Sequence, residues 1–203
     1  MPQTTISFPN DDINYLAPSW DDNEALAFAV AQKILQDKKS IDRIVTLAKG
    51  GWPMTRSLVD FLEINKVASI GVKFYAGINK RLKKPQIYQD TPVSVNDEHV
   101  LLFDDVADTG ESLVFTKKYL QQKGVASVTT ATLYYKPHSC LKPDYYGAET
   151  SAWIIFPYET VDAMDRLGHH WLEQGCNLTD IKKRFTQLKF KPNQIDYYCE
   201  RLK

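Results

Sequence analysis

Two adjacent carboxylates, Asp104 and Asp105, followed closely by Ala107-Asp108-Thr109-Gly110-Glu111-Ser112, are the residues of this chain best suited to chemistry. A pair of acids suits sugar hydroxyls or a divalent cation with hard oxygen ligands. The residues after them suit an anion. A glycine-bearing turn can present backbone N–H groups, and Thr109 and Ser112 add hydroxyls at what would be the positive end of a helix. A sugar phosphate carries both kinds of group. Taken alone, the stretch also fits a polar loop that only caps a helix, so the elements around it decide.

Those elements are legible. Val100-Leu101-Leu102-Phe103 is an unbroken apolar run, which predicts a strand buried on both faces and ending at the two acids. Residues 113–122 carry a helical pattern that stops near Gly124, a suitable C-terminal glycine. The same unit occurs earlier: Ile44-Val45-Thr46-Leu47-Ala48 predicts a short buried strand, Lys49-Gly50-Gly51 a turn, and Pro53 the start of a helix through Leu62. Two glycines let a backbone approach a ligand closely or take unusual dihedrals, and Lys49 supplies charge, although a plain turn has the same composition. Residues 68–75 and 128–135 predict further strands. The second delivers Lys136-Pro137-His138, where a lysine is ordinarily a solvated charge and the histidine reads as a loop residue without a triad partner. Residues 152–159 predict a short strand stopped by Pro157, in which Trp153 would ordinarily be core. Residues 76–96 are polar, with Lys80, Arg81, Lys83, Lys84 and two prolines, and predict either a lid or a solvated basic hairpin.

At the front, residues 1–18 read as a polar lead-in whose Ile13, Tyr15 and Leu16 dock on the body. Ser19 and Asp22 form a capping box for a helix to about Gln36, with Leu26, Val30 and Ile34 on one face. At the back, three short amphipathic helices are predicted at about residues 161–173, at 180–188 after a Thr179 cap, and at 193–202 after Pro192. This divides the chain into a main domain, residues 1–160, and a helical appendage, residues 161–203. The 203 residues carry 25 basic and 25 acidic side chains, so no global basic field invites nucleic acid. The cluster Lys182, Lys183, Arg184, Lys189 and Lys191 is interleaved with acids and reads as a solvated face. Cys140, Cys176 and Cys199 are too widely spaced for a zinc site or a disulfide framework. With no leader-like pattern and no run near the ~18 apolar residues a membrane span needs, a cytoplasmic protein without a membrane partner is expected. Strands alternating with helices predict an α/β fold with a doubly wound, mainly parallel sheet, ligands sitting at the carboxyl ends of its strands.

VLLFDDVADTGES closely resembles the thirteen-residue phosphoribosyl pyrophosphate signature of the type I phosphoribosyltransferases, and residues 20–159 resemble most the purine (hypoxanthine and xanthine-guanine) members. That resemblance implies the type I phosphoribosyltransferase fold with a flexible lid loop. Asp104 and Asp105 would hold the ribose hydroxyls and Mg2+, and Ala107, Asp108, Thr109, Gly110, Glu111 and Ser112 would hold the 5′-phosphate region. Asp108 would act as general acid/base at the purine N7. Glu111 stands where some relatives have a small or neutral residue. Lys49, Gly50 and Gly51 match a pyrophosphate loop that typically contains a non-proline cis peptide, and Lys80 and Arg81 are lid candidates over the same group. Lys136 would donate to the purine O6, Trp153 would stack on the base, and the backbone of Ile154 would read its N1/C2 edge. The implied reaction moves the phosphoribosyl group to hypoxanthine, guanine or xanthine in purine salvage, in a homodimer or tetramer. The alternative from another class is a regulator that keeps the fold to sense phosphoribosyl pyrophosphate or nucleotides while binding nucleic acid.

Overall fold

In the computed structural model of the protein, which describes residues 4–75 and 81–202, fifteen elements follow one another. They are β1 (Ile6–Ser7), β2 (Asn14–Leu16), α1 (Trp20–Gln36), β3 (Arg43–Ala48), α2 (Trp52–Leu62), β4 (Val67–Tyr75), β5 (Arg81–Gln89), β6 (His99–Ala107), α3 (Glu111–Gln122), β7 (Ser127–Tyr135), β8 (Tyr145–Glu149), β9 (Trp153–Ile154), α4 (Thr160–Glu173), α5 (Leu178–Gln187) and α6 (Pro192–Arg201). By their contacts they form two compact units, Asn23–Thr150 and Met1–Asp22 with Ser151–Lys203.

The larger unit is a six-stranded sheet in the order β5-β4-β3-β6-β7-β8, parallel throughout except for β5, which pairs antiparallel with β4 at one edge. Parallel neighbours need crossovers, and α2 and α3 supply them between β3 and β4 and between β6 and β7. Burial on both faces explains why β6 shows no alternation. Val100 and Leu102 pack with Val45, Leu47 and Ile70 and with Leu113 and Leu120 of α3, while Leu101 and Phe103, pointing the opposite way, are also fully buried. The α1 start follows the expected capping box: Asp22 N donates to Ser19 Oγ at 3.1 Å, and Ser19 N donates back to Asp22 Oδ2 at 2.8 Å. Gly124 takes the expected left-handed conformation past α3, at φ +81°.

Three expectations change. β6 does not stop at Asp104 but runs to Ala107, because its ladder with β7 continues through Asp104↔Thr132, Val106↔Tyr134 and Ala107↔Tyr135. Ladder bonds belong to the backbone, so an acidic side chain does not by itself end a strand, and Asp105 stays within β6 although it is buried. Part of the 76–96 segment, Arg81–Gln89, is strand β5, paired antiparallel with β4, where the polar composition predicts no strand. β8 has no counterpart among the predicted strands, since Tyr145-Tyr146-Gly147 has neither alternation nor a β-branched run. It is set beside β7 by Asp144, whose Oδ2 accepts from Thr130 N at 2.7 Å and Thr130 Oγ1 at 2.8 Å.

In the smaller unit, β2 pairs antiparallel with β1 and parallel with β9, and the residues expected only to dock, Tyr15 and Leu16, are therefore strand. Helices α4, α5 and α6 bury Met164, Leu167, Trp171, Ile181, Phe185, Ile195 and Cys199 together with Phe8 and Tyr15. α5 begins one residue before Thr179, because Asn177, not Thr179, caps it, its side chain accepting from Asp180 N at 3.0 Å. The side chain of Asp11 is fully buried in this unit. Its Oδ2 accepts from Tyr15 Oη at 2.7 Å and Trp171 Nε1 at 2.8 Å, and its Oδ1 from Ile13 N at 3.0 Å. The Arg184 guanidinium lies over the Phe8 and Trp171 rings with Nη1 3.9 Å from Asp11 Oδ2. Burial pushes the Asp11 carboxyl up, but the hydrogen bonds from Tyr15, Trp171 and Ile13 and the charge of His170 outweigh it and hold it below the ordinary carboxylate value.

Asp11→Ala leaves a phenol, an indole and a backbone N–H without their acceptor and the Arg184 guanidinium without its nearby negative charge, and is expected to cost about 3 kcal/mol in urea unfolding at neutral pH. A depressed carboxyl contributes stability above its unfolded pKa and loses it as pH falls through the folded value. The difference between wild type and variant is thus expected to shrink as the pH falls below the ordinary range of a carboxylate.

Candidate active site

The site residues of the larger unit stand at the carboxyl ends of its central strands, where open parallel sheets bind ligands. β3 and β6 pair only as far as Thr46↔Phe103, whereas β6 goes on with β7 for four residues more. On the β3 side the gap is filled by the turn Lys49-Gly50-Gly51. Its first peptide, Ala48–Lys49, is cis, as the resemblance implies for this loop. Neither glycine is there for its dihedrals. A Cβ on Gly50 would lie 2.3 Å from Asp105 Oδ2, and one on Gly51 would lie 2.4 Å from Thr46 Oγ1 and 3.0 Å from the Phe103 carbonyl. Both are needed for space. The turn closes by Gly51 N donating to Leu47 O at 3.0 Å, and α2 is entered by Thr55 N and Oγ1 donating to Gly51 O. Lys49 is exposed, and Trp52 beyond it donates Nε1–H to Ser69 Oγ at 2.7 Å.

At the end of β6, Asp105 is buried against Gly50 while Asp104 is half-buried, its Oδ1 accepting from Asp105 N at 3.0 Å. The chain then passes Ala107, Asp108 and Thr109 to Gly110, the N-cap of α3, in the left-handed region at φ +77°. Val114 N donates to Gly110 O at 3.0 Å as the helix starts, and Glu111 N donates to Thr109 Oγ1 at 3.4 Å. The helix N-terminus thus opens at the carboxyl edge of the sheet, with Ser112 half-buried on its first turn.

The turn after β7 is built onto this loop. Lys136 N donates to Ala107 O at 3.1 Å and Cys140 N donates to Thr109 O at 2.9 Å, so the two carbonyls flanking Asp108 are both held by the turn. Between these anchors Ser139 N donates to Lys136 O at 2.9 Å, closing a β-turn with Pro137 at its second position. Lys136 Nζ lies 3.1 Å from Asp108 Oδ1, with the lysine side chain 13% exposed and the aspartate 55%. His138 Nε2 lies 3.3 Å from the same oxygen. His138 is a loop residue, as expected, but its contact with Asp108 is not legible in the sequence. The local signal is Pro137, which favours a turn that folds residue 138 back beside residue 136.

Lys49, Gly50, Gly51, Asp104, Asp105, residues 107–112 and Lys136 are all brought to one edge of one sheet. Lys80 lies outside the described residues, as does the side chain of Arg81, whose backbone begins β5. Trp153 and Ile154 belong to the smaller unit. Trp153 is 39% exposed, with its ring 6.4 Å from that of Tyr15, so it is not the core aromatic that composition alone suggests, while Ile154 is buried.

A metal fits here on the donor set. Asp104 and Asp105 offer hard oxygens at an open strand end, and among the described residues no cluster of three or more acids, histidines or cysteines offers a full protein cage. Two carboxylates with the remaining positions left to water and substrate oxygens is the arrangement Mg2+ accepts.

A doubly wound sheet with an acidic strand end, a cis-peptide glycine turn and a helix entered at the carboxyl edge carries the features that the resemblance to the type I phosphoribosyltransferases implies. The profile of the phosphoribosyl transferase domain matches residues 21–162, and the chain belongs to that family of metal-dependent transferases. It is 24% identical over 150 residues to a xanthine-guanine phosphoribosyltransferase of Gluconobacter oxydans, covering 73% of this chain and 86% of that one. To a hypoxanthine-guanine phosphoribosyltransferase of Lactococcus lactis it is 25% identical over 132 residues, 57% and 72% of the two chains. The crystal structure of a purine phosphoribosyltransferase from Pyrococcus horikoshii superposes with a TM-score of 0.62 at 31% identity, covering 71% of this chain and 93% of that one. No helix among the described residues is long and apolar enough to cross a membrane.

A Cβ on Gly110 would lie 2.4 Å from Ser139 Oγ and 2.9 Å from Leu141 N, whereas one on Gly175, also left-handed at φ +84°, would meet nothing within 4 Å. Each Gly→Ala change carries about 1 kcal/mol of backbone cost. Gly110→Ala is expected to lower the melting temperature clearly more than Gly175→Ala and to abolish most phosphoribosyl transfer, which Gly175→Ala leaves intact.

Proposed function

We propose that the protein transfers the 5-phosphoribosyl group of phosphoribosyl pyrophosphate to a 6-oxopurine, giving the nucleoside monophosphate and pyrophosphate in purine salvage. The observation that carries this reading is the pairing of Lys136 with Asp108 at 3.1 Å, beside the acid pair and the helix entry. A lysine has three donors and no acceptor, so it suits an exocyclic carbonyl oxygen at C6 and not an amino group. Asp108, more than half exposed, is placed to exchange a proton with the neighbouring ring nitrogen.

In this reading Asp104 and Asp105 hold the ribose hydroxyls and Mg2+, which when bound neutralises charge on the departing pyrophosphate. Ala107, Thr109, Gly110, Glu111 and Ser112 bind the 5′-phosphate through backbone N–H groups and hydroxyls. Lys49, Gly50 and Gly51, with Lys80 and Arg81 from the neighbouring segment, grip the pyrophosphate. Trp153 offers an exposed ring to the base and Ile154 its backbone. As the anomeric carbon gains positive charge, the work falls to positioning and to fixed negative groups, with Asp108 taking the N7 proton as the new C–N bond forms. The same resemblance argues for a cytoplasmic homodimer or tetramer. The nucleic-acid-binding regulator has weaker support, since Lys182 pairs with Asp196 at 2.6 Å and Lys183 with Asp180 at 3.7 Å.

The test is direct. Purified protein with Mg2+, phosphoribosyl pyrophosphate and hypoxanthine, guanine or xanthine is expected to release pyrophosphate and nucleotide, and chelation to stop it. No product with any base, together with tight binding of RNA or DNA, would establish the regulator instead. Asp108→Asn is expected to lower kcat by about 10²- to 10⁴-fold. Lys136→Ala is expected to raise KM for the base by roughly 10- to 100-fold, the worth of one charge-assisted hydrogen bond.

A further inference from the structure

Asp108 Oδ1 is shared by two nitrogens of different character. Lys136 Nζ reaches it from the 13%-exposed end of β7, and His138 Nε2 reaches it from the outer side of the turn, where the imidazole is 60% exposed. The charged groups set around the imidazole come from two elements, Asp108 from the loop after β6 and Lys136 from the end of β7. The turn that carries the histidine is not free to drift. Its two ends donate to the carbonyls of Ala107 and Thr109 on either side of Asp108, and the ring formed by Ser139 N and Lys136 O closes around Pro137 and His138. The backbone bonds therefore keep residues 108 and 138 side by side, within reach of each other's side chains.

Transfer to a purine leaves a proton on Asp108 once per turnover, and the next cycle needs that oxygen ionised. Lys136 offers only donors and cannot take this proton while charged. The neutral imidazole can. Resting on Asp108 as the general base, we propose that His138 is the proton relay between Asp108 and solvent. As the C–N bond forms and pyrophosphate leaves, the ring N–H bond breaks and its proton goes to an Asp108 oxygen. The O–H bond of Asp108 then breaks as the proton passes to His138 Nε2, and the imidazolium loses its Nδ1 proton to bulk water, regenerating the other tautomer. No electrons are exchanged and one proton leaves per nucleotide made. The return of the ring to the tautomer with Nε2 unprotonated occurs through water, to which its exposure gives access.

The experiment compares wild type, Asp108→Asn, His138→Ala and His138→Asn, following kcat, KM for phosphoribosyl pyrophosphate and base, and the response to added imidazole. Both His138 variants are expected to lose about tenfold in kcat with either KM within about twofold, a fraction of the 10²- to 10⁴-fold range of general acid–base catalysis because water remains as a slower acceptor. Imidazole at tens of millimolar is expected to restore much of kcat in His138→Ala and nothing in Asp108→Asn. His138→Asn keeps an N–H donor for the carboxylate, so its recovery of full kcat would overturn the relay in favour of a purely orienting role. Wild-type kcat in both His138 variants, or no response to imidazole, would also overturn it while leaving Asp108 standing. Unimpaired turnover by Asp108→Asn would instead remove the general base, and with it the relay.

Discussion

The structure depends on an inequality between two ladders. β6 is paired on both sides through Phe103, but beyond that residue only β7 stays with it. A central strand held on one side and released on the other can remain straight while a loop enters beside it. Here Lys49-Gly50-Gly51 enters, and the Asp105 side chain lies over Gly50. Had β3 continued with β6 to Ala107, no space would exist for that turn. Had β7 ended with β3, the acids would lie on a loop without fixed direction. The difference in ladder length lets the Lys49-Gly50-Gly51 turn lie against the end of β6 while β7 still fixes the direction of that end, and functional groups keep their geometry best on such held elements.

The three turns that line this edge are fitted to one another. Gly50 gives way to Asp105, Gly51 to Thr46 and Phe103, and Gly110 to Ser139 and Leu141. The turn after β7 is bonded in return to Ala107 and Thr109. An anion bound at the start of α3 would therefore be felt by the turn that holds Lys136 and His138, through two backbone hydrogen bonds and one close contact. Under the proposed function, the turn offered to the sugar phosphate and the turn offered to the base are parts of one packing arrangement. Electrostatics agree with it: the cationic end of Lys136 is kept at 13% exposure beside Asp108, so a base that separates the pair must offer Lys136 another acceptor.

How much of this the sequence shows depends on whether the signal is local. A mostly apolar run marks β3 and an unbroken one, Val100 to Phe103, marks β6 because both strands are buried on two faces, and Ser19 with Asp22 marks the start of α1 because the cap bonds within three residues. The acid pair, the two glycines and Lys136 were legible as types at particular strand ends. What could not be read was set by distant partners. β8 exists because Asp144 captures Thr130, fourteen residues earlier. The two glycines before α2 are explained by side chains and carbonyls of β3 and β6, and not by the conformational freedom their type suggests. His138 looked solitary because its partner is thirty residues away in sequence, and only the backbone bonds of its turn bring the two together.

The residues ahead of α1 illustrate the same dependence. They look like a polar lead-in, yet Asp11 collects Tyr15, Trp171 and Ile13 about one carboxylate and so joins the first residues to the last helices in a single core. Tyr15 is also the register partner of Trp153, and its ring lies 6.4 Å away. β9 has two residues, too few for stability of its own, so the direction in which Trp153 projects is inherited from β2 and, through Tyr15, from Asp11. Under the proposed function the stacking ring is then oriented by a buried acid more than a hundred residues earlier in the chain.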